Sequence, residues 1–176
     1  IEKGNQSINS LRRNVYKLNI TKPDEQRPKE GSKEDKTLKE IYKFYPNLKD
    51  KKRFEYLASF ITAHIMKKSM YNYKKGWVSK GSSDSGIDFV GRMDIGSGFG
   101  SAKIIVLGQA KCVDPDGPTN AMHIARLVAK LKRGWLGVFV TTSFFSPDVQ
   151  KEILEDKYPL LLINGKKLAE EINEIV

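Results

Sequence analysis

The sequence predicts an α/β fold in which a mixed sheet of about five strands is sandwiched by α-helices. With 176 residues the chain is about one domain long and can bury a proper core. Its apolar segments give the order helix, three strands, helix, strand, helix, strand, helix. Three early strands suggest an antiparallel meander, and the later alternation suggests parallel crossovers. Together these patterns predict one sheet with both kinds of strand pairing.

The composition favours a polyanionic partner and a cytoplasmic protein. Lysine and arginine number 31 against 21 aspartate and glutamate residues, a net charge of +10. A balance of this kind favours nucleic acid first and an acidic membrane surface second. No stretch approaches the ~20 apolar residues of a membrane helix, and the first residues lack the apolar region of a signal peptide. The single cysteine, Cys112, excludes an internal disulfide and argues against a structural zinc site.

The chain begins at Ile1 instead of Met, which predicts a piece of a longer protein. Residues 1–50 are predicted to be a linker or N-terminal extension. Residues 21–37 are dense in charge, proline and glycine, which predicts a linker or exposed loop. A strap to another domain and a contact with the DNA backbone are alternatives for this arm. Residues 37–44 have apolar side chains at helical spacing and predict a short helix that stops at Pro46.

Residues 51–69 predict an amphipathic helix with Asp50 as a candidate N-cap. The apolar stripe of this helix consists of Phe54, Leu57, Phe60, Ile61 and Ile65. Glu55 flanks the stripe in the first turn, where an acid is favourably placed whatever else it does. His64 is expected to be a boundary residue of the helix and not a ligand.

Each later apolar segment predicts one further element. The predicted strands are residues 74–79, 87–93, 103–112, 135–142 and 159–163. The predicted helices are residues 120–133, 146–157 and 166–175, the second with Ser146 as N-cap and Pro147 at its first position. Asn164 and Gly165 predict a turn before the closing helix.

The strand at residues 103–112 is the unusual element. It is apolar on both faces, which is typical of a central strand covered on both sides, yet it ends in Gln109-Ala110-Lys111. Side chains alternate across a strand, so Gln109 and Lys111 point to one face and Cys112 to the other. Such a break in an apolar pattern tends to mark a functional site, although a strand that simply surfaces would look the same.

Asp88 precedes this strand and supplies a carboxylate. If Asp88 pairs beside Gln109, the carboxylate, the amide oxygen of Gln109 and the backbone carbonyl of Ala110 offer the oxygen ligands that Mg²⁺ prefers. Lys111 could then orient a water molecule, help to remove its proton, or neutralise charge on a phosphoryl group. Asp94 is an alternative to Asp88, and His123 has no partner arrangement that suggests a triad.

Two motifs in this order, SGID at residues 85–88 and QAK at residues 109–111, resemble the Mrr-like branch of the PD-(D/E)XK nucleases. In that branch a glutamine replaces the usual acid of the final motif. In detail the chain is similar to the catalytic domains of modification-dependent restriction endonucleases of the MspJI and AspBHI kind. Further matching segments are RFEYLASFI, HIARLVAKLKRGW, VFVTTSFFS and KYPLLLINGKKLAEEI. The resemblance implies a restriction-endonuclease-like fold, with the catalytic domain at residues 51–176.

This resemblance implies Mg²⁺-dependent hydrolysis of double-stranded DNA by a type II or type IV restriction endonuclease that depends on methylcytosine or hydroxymethylcytosine. Asp88 and Gln109 would be metal-site residues, and Lys111 would be the catalytic lysine. Glu55 would be the helix acid that supports the site, through water or a second cation. Its role matters because Asp88 alone is a thin carboxylate set for Mg²⁺.

The expected DNA-backbone contacts are Lys80, Ser82, Ser83, Arg126 and Lys130. A domain with one active centre cuts one strand, so we expect a dimer or tetramer of the full-length protein. Two alternatives stay open: a catalytically silent DNA-binding or assembly domain, and a structure-specific nuclease such as a junction resolvase.

Overall fold

The computed structural model describes residues 20–45, 48–69, 72–79, 86–156 and 159–176. The helices in these ranges are α1 (Pro23–Gln26), α2 (Lys33–Phe44), α3 (Leu48–Lys68), α4 (Ala121–Val128), α5 (Pro147–Asp156) and α6 (Gly165–Ile175). The strands are β1 (Asn72–Val78), β2 (Phe89–Ile95), β3 (Ala102–Lys111), β4 (Leu136–Thr141) and β5 (Leu160–Ile163). A short 3₁₀ turn, Gly98–Gly100, lies between β2 and β3.

The five strands form one mixed sheet in the order β1-β2-β3-β4-β5. β1, β2 and β3 pair antiparallel, whereas β3, β4 and β5 pair parallel. The predicted meander followed by crossovers is therefore confirmed, and β3 is the central strand that its two apolar faces predicted. The parallel half needs a helix in each crossover, and α4 and α5 fill those places.

Two apolar cores lie on the two faces of the sheet. On one face Val106 and Ala110 of β3 belong to a cluster that includes Phe54 of α3 and Leu168 of α6. On the other face Leu107 belongs to a cluster built from α4, α5 and β4. The alternation of side chains along β3 thus divides the core, and Gln109 and Lys111 belong by alternation to the α4 face.

The long helix α3 buries the stripe predicted for it, with one exception. Phe54, Ala58 and Ile61 are fully buried, whereas Phe60 is 46% exposed. A helix turns about 100° per residue, so position 60 lies roughly 120° away from the line through positions 54, 58 and 61. Phe60 was therefore wrongly assigned to the core. Its ring instead faces the edge strand, where the Lys75 ammonium lies 5.8 Å from the ring centroid.

The segment 21–37, predicted to be an exposed loop, is partly helical and packs on the body. The Gln26 amide is buried, donates to Phe145 O at 2.8 Å and accepts from Phe145 N at 2.9 Å. Helix α2 begins at Lys33, earlier than predicted, because Ser32 caps it by accepting a hydrogen bond from Asp35 N. This packing could not be predicted from the sequence, because the segment is held by hydrogen bonds of polar side chains and has no repeating pattern of apolar residues.

The remaining differences are small. The predicted helix at 120–133 ends at Val128. Asn164, predicted to lie in a turn, is the N-cap of α6 and accepts a hydrogen bond from Lys167 N. Asp88 lies just before β2 and not inside it. Within the described ranges, no helix is both long and apolar enough to cross a membrane.

Candidate active site

Asp88 lies at the point where β2 and β3 stop pairing. The last paired residues are Phe89 and Gly108, which places Asp88 opposite Gln109. Asp88 N donates to Gly108 O at 2.9 Å, and Ala110 N donates to Asp88 Oδ2 at 2.8 Å. The side-chain carboxylate therefore takes the place of the next backbone carbonyl in the ladder. This bond holds the carboxylate, only 8% exposed, against the end of β3.

Lys111 and Gln109 both lie at this carboxylate. The Lys111 Nζ is 3.7 Å from Asp88 Oδ2, and the Lys111 side chain is about one quarter exposed, at 29%. Gln109 is 1% exposed, and its Oε1 is a buried atom that finds no hydrogen-bond partner among the described residues. A buried polar atom without a partner is costly and calls for an explanation, of which an ion is one.

Glu55 reaches the same site from α3, on the other face of the sheet. Burial, together with repulsion from the Asp88 carboxylate, raises the pKa of Glu55 to about 7, although Lys111 and Lys52 oppose the shift. Its Oε2 is also buried and, within the described ranges, without a hydrogen-bond partner. Phe54, next to Glu55 in the chain, packs in the same core cluster as Ala110, which places Glu55 near the end of β3. The charges of Asp88 and Lys111 both act on its pKa, so Glu55 is a candidate member of the same site.

Asp88 is also costly to ionise. Burial raises the pKa of the Asp88 carboxyl, while the Ala110 N–H, the Lys111 ammonium and, more weakly, His123 favour the charged form. A cation bound next to two such carboxyl groups would lower the cost of ionising both, since its positive charge stabilises each carboxylate.

The backbone of Ala110 faces this carboxylate pair. A residue in a strand directs its N–H and C=O to the same side, and the N–H of Ala110 points to Asp88. The neighbouring Lys111 O instead accepts from Thr142 N on the β4 side. The carbonyl of Ala110 is therefore directed toward Asp88, where β2 no longer supplies a partner strand.

The residues present fit a hard divalent cation. Asp88, Glu55, the Gln109 amide and the Ala110 carbonyl are all oxygen donors. One oxygen of Glu55 and one of Gln109 are buried and have no hydrogen-bond partner among the residues that the structure describes. Mg²⁺ prefers one or two carboxylates, carbonyl oxygens and water, so this donor set suits it better than it suits a metal that prefers nitrogen or sulfur.

A second group of ligand-type side chains lies elsewhere, between α3 and α6. One ligand atom each of His64, Glu171 and Glu174 lie within 4.8 Å of one another. Lys68 and Lys167 already pair with these carboxylates, the latter at 2.6 Å from Glu171 Oε1. These ammonium groups occupy the positions that a cation would take, so the group is best described as an ion-pair network. His64 is nine positions beyond Glu55, about 13–14 Å along the helix, and so is separate from the site at Asp88.

The alternative acid, Asp94, is not at the site. It lies six positions beyond Asp88 along the chain, about 20 Å away at the rise of a strand, and pairs with Arg92 and Lys74. These two cations lower the pKa of Asp94 below its usual value. The predicted burial of Cys112, in contrast, is confirmed at 5% exposure.

The expected DNA contacts are only partly described by the structure. Lys80, Ser82 and Ser83 lie outside the described residues. Arg126 is exposed on α4, and Lys130 is exposed just beyond the end of that helix. Both lie on the connection that leads from β3 to β4, which starts beside the candidate site.

Sequence reasoning missed His123. The Lys111 and Arg126 cations and burial lower the pKa of His123, with burial the largest cause, while Asp88 opposes the shift. Its Nδ1 is buried and unpartnered in the part of the chain that the structure describes. Among the described residues, His123 has no partners that would suggest a triad. Its place in the first turn of the helix that follows the QAK strand is the sequence signal that could have indicated it.

Comparison with known proteins gives a consistent result. A restriction endonuclease family model, the Mrr catalytic domain, matches residues 50–172. The structure of the MspJI restriction endonuclease in complex with a 27-mer oligonucleotide is similar, with 45% identity and a TM-score of 0.84 over 90% of this chain and 35% of that one. The DNA modification-dependent restriction endonuclease AspBHI is 21% identical with a TM-score of 0.73, over 90% of this chain and 39% of the other, and shows the shared fold. No curated protein sequence matches the chain.

A mixed sheet that separates two helical layers, with an acid and a lysine where its central strands diverge, is the architecture of the restriction-endonuclease-like nucleases. The chain belongs to the restriction endonuclease family, because the family model covers more than two thirds of its residues. The chain spans 35% and 39% of the length of the two solved structures that it matches.

Proposed function

We propose that the chain is an Mg²⁺-dependent endonuclease domain that hydrolyses DNA phosphodiester bonds. The observation that supports this most is the grouping of Asp88, Gln109 and Lys111 where β2 and β3 diverge, with Glu55 electrostatically coupled to them. Within the described ranges, one oxygen of Gln109 and one of Glu55 are buried and have no hydrogen-bond partner. A catalytically silent domain has no need of two carboxyl groups that are costly to ionise. Membership in the restriction endonuclease family points in the same direction.

Each residue of the site has a role that its surroundings support. Asp88, Gln109, Glu55 and the Ala110 carbonyl would hold Mg²⁺. When bound, the cation would supply positive charge that makes water more acidic and stabilises charge on a phosphate. The Lys111 ammonium, 3.7 Å from Asp88 Oδ2, is placed to orient the attacking water and to stabilise the charge that develops on the phosphate.

The substrate we propose is double-stranded DNA that carries methylcytosine or hydroxymethylcytosine, and the type of enzyme is a type II or type IV restriction endonuclease. The net charge of +10 supports a DNA partner, with Arg126, Lys130, Lys80, Ser82 and Ser83 as backbone contacts. The description of AspBHI as modification-dependent supports the choice of modified DNA. A cytoplasmic location and a dimer or tetramer of the full-length protein belong to the same proposal, since one site cuts one strand.

The test compares the full-length protein with Lys111→Ala on plasmid DNA that contains cytosine, methylcytosine or hydroxymethylcytosine, with Mg²⁺ or with EDTA. We expect Lys111→Ala to lower the cleavage rate by about 10²–10⁴-fold, the usual contribution of a group that acts directly on the reacting atoms. Lys103→Ala is the matched control, because Lys103 is exposed at the far end of the same strand.

The outcomes of this test separate the alternatives. Wild-type rates in Lys111→Ala would remove the assigned role of the lysine. Equal cleavage of all three DNAs would leave a nuclease that does not depend on modification, and preferential cleavage of branched DNA would indicate a junction resolvase. DNA binding without cleavage by the wild type would indicate a silent binding or assembly domain.

A further inference from the structure

We propose that His123 is a further substrate-contacting residue of this site, and that its Nδ1 donates a hydrogen bond to a non-bridging oxygen of the phosphodiester that is cleaved. This inference rests on the proposed nuclease function and deepens it, because it assigns to the first turn of α4 a direct contact with the reacting phosphate.

The topology brings His123 to the end of β3. Helix α4 is the crossover between the parallel strands β3 and β4, so it runs back along the sheet and its first turn lies near the end of β3 that carries Gln109 and Lys111. Asn120 fixes this start by accepting a hydrogen bond from Met122 N at 2.9 Å. His123 therefore lies at the same end of the sheet as Asp88.

The rotation of α4 is fixed by its apolar side chains. Ile124 and Leu127 are 3% and 0% exposed and belong to the same core cluster as Leu107 of β3. Gln109 and Lys111 share the face of β3 to which Leu107 belongs. His123, next to Ile124, thus borders the core on the face to which Lys111 points. Glu55 approaches from α3 on the opposite face, so a phosphate held by Asp88 and Lys111 would lie between the two helices.

The unpartnered nitrogen indicates what His123 contacts. Nδ1 is buried, and no described residue accepts or donates a hydrogen bond there. Leaving a buried polar atom unpaired costs about 1–3 kcal/mol, so such atoms are usually satisfied by a ligand or water. Of the groups around it, Lys111 and Arg126 are cations, and Asp88 makes no hydrogen bond to this nitrogen. A phosphate oxygen is the acceptor that fits among two cations and a donor nitrogen.

The imidazole is suited to donate and to keep its proton. Burial and the two neighbouring cations lower the pKa of His123, which favours the neutral ring with one donor and one acceptor nitrogen. In the tautomer that carries the proton on Nδ1, the ring donates to the phosphate without adding a third positive charge. No proton transfer is part of this role.

Two conservative variants distinguish the nitrogen atoms. An asparagine places its amide nitrogen close to the position of Nδ1, whereas a glutamine places it close to that of Nε2. We expect His123→Ala and His123→Gln to lower the single-turnover cleavage rate about 10²-fold at saturating Mg²⁺ and DNA, since one donor to a reacting phosphate is worth that much. His123→Asn should recover most of this rate, and all variants should keep the wild-type melting temperature. Met122→Ala, at an exposed neighbouring position, is the control.

A sulfur substitution in the DNA supplies a measurement that a purely structural role would not change. Sulfur accepts hydrogen bonds poorly, so at the oxygen that His123 contacts the sulfur already removes what His123→Ala would remove. We expect His123→Ala to lose much less rate on one of the two phosphorothioate isomers than on normal DNA.

Several results would overturn the inference. These are a wild-type rate in His123→Ala, an asparagine variant as slow as the alanine variant, or an equal loss on oxygen and both sulfur substrates. If the wild type cleaves DNA and any of these three results is found, the role of His123 is rejected while the proposed nuclease function stands. Absence of wild-type cleavage on every DNA would instead reject the proposed nuclease function, and the role of His123 with it.

Discussion

Gln109 supplies an oxygen where a third carboxylate would be hard to accommodate. Asp88 and Glu55 already repel each other, and burial raises the pKa of both. A glutamate at position 109, where the side chain is 1% exposed, would add another buried negative charge to this pair. In the proposed metal site the amide would provide an oxygen ligand without that charge, so the glutamine is consistent with a site whose two acids come from α3 and from the residue just before β2.

Glu55 is expected to make the metal-free protein less stable at high pH. Its folded pKa of about 7 lies above the ordinary glutamate value of 4.5, so the fold favours the protonated form. The cost of ionisation is absent below pH 4.5, grows as the pH rises toward 7, and is then constant. We predict that Glu55→Gln raises the melting temperature in EDTA at pH 8 and does so much less at pH 5.

The same measurement has a metal arm. Mg²⁺ should raise the melting temperature of the wild type at pH 8 more than that of Glu55→Gln. A ligand at concentration L stabilises the folded state by RT ln(1 + L/Kd), and the loss of one carboxylate should weaken Mg²⁺ binding. Glu152→Gln, at an exposed position of α5, should change neither value. A Glu55→Gln variant that melts at the wild-type temperature at both pH values would contradict the raised pKa.

The last paired residue of β3, Gly108, must lack a side chain where β2 and β3 stop pairing. A Cβ at this position would lie 2.0 Å from Cζ of Phe89, the fully buried side chain that directly follows Asp88. The absence of a side chain at position 108 therefore leaves room for the Phe89 ring against β3. Beside it, Gly108 O accepts a hydrogen bond from Asp88 N at 2.9 Å.

We predict that Gly108→Ala destabilises the protein by about 1–3 kcal/mol, the usual cost of overpacking a core. Because Phe89 and Asp88 are adjacent, the variant should also lose cleavage activity. Adding Phe89→Leu should restore part of the stability measured by urea unfolding. Gly100→Ala is the control, since its Cβ would meet no atom within 4 Å. Equal stabilities of the Gly108→Ala and Gly100→Ala variants would show that the ring moves freely.

Helices α3 and α6 are joined by a buried carboxylate. Glu171 is 1% exposed, and its Oε1 lies 2.6 Å from Lys167 Nζ and 3.7 Å from Lys68 Nζ, while its Oε2 lies 3.4 Å from His64 Nε2. The partners of Glu171 are partly exposed, so removing this carboxylate leaves no buried charge unpaired. What is lost is the charge-assisted contacts, of which a hydrogen bond to a charged group is worth about 1.5–3 kcal/mol.

We therefore predict that Glu171→Ala lowers the free energy of unfolding by about 1.5–3 kcal/mol. Glu170→Ala, at the neighbouring and partly exposed position, should lower it by less than about 0.5 kcal/mol. Chemical denaturation of the two variants in parallel measures the difference. If the two variants unfold at the same denaturant concentration, the network contributes nothing to the packing of α6.

The elements that could be predicted from sequence are those whose side chains follow a period. The alternation at 103–112 correctly gave β3, its central place and the face of Gln109 and Lys111. Gln26 and Ser32 could not be found in this way, because they act through hydrogen bonds to backbone groups and not through a repeating apolar side chain. The partner of Gln26 is distant in the sequence, and that of Ser32 is three residues away. For the candidate site, Asp88, Gln109 and Lys111 followed from pattern and resemblance, whereas the place of His123 depended on how α4 crosses the sheet.

At the scale of the whole molecule, the segment with α1 and α2 packs against the sheet-and-helix domain formed by the rest of the chain. Leu38 and Ile41 of α2 are 3% and 9% exposed, and Thr37 Oγ1 donates to Asn173 Oδ1 of α6 at 2.8 Å. Gln26 adds its paired bonds to Phe145, just beyond β4. A domain that starts at residue 51 would lack all of these contacts.

We predict that a chain starting at residue 48 is less stable than one starting at residue 20 by about 3–6 kcal/mol. Burial of Leu38 and Ile41 contributes about 1.5–3 kcal/mol each, and the Gln26 hydrogen bonds offset part of the entropy lost when the segment is ordered. Thermal unfolding of the two chains measures the effect. Identical melting temperatures would mean that residues 20–47 only lie on the surface and that the boundary at residue 51 is a true domain boundary.

The bond from Ala110 N to Asp88 Oδ2 connects the electrical state of the site to the backbone of the sheet. Any change in charge on that carboxylate alters the magnetic environment of one amide proton in the central strand. We expect the Ala110 amide resonance to shift on titration with Mg²⁺, while that of Ile104, on the same strand and far from Asp88, stays fixed. An unchanged Ala110 resonance at saturating Mg²⁺ would place the cation away from Asp88. The sheet thus carries its own spectroscopic probe of whether the site is filled.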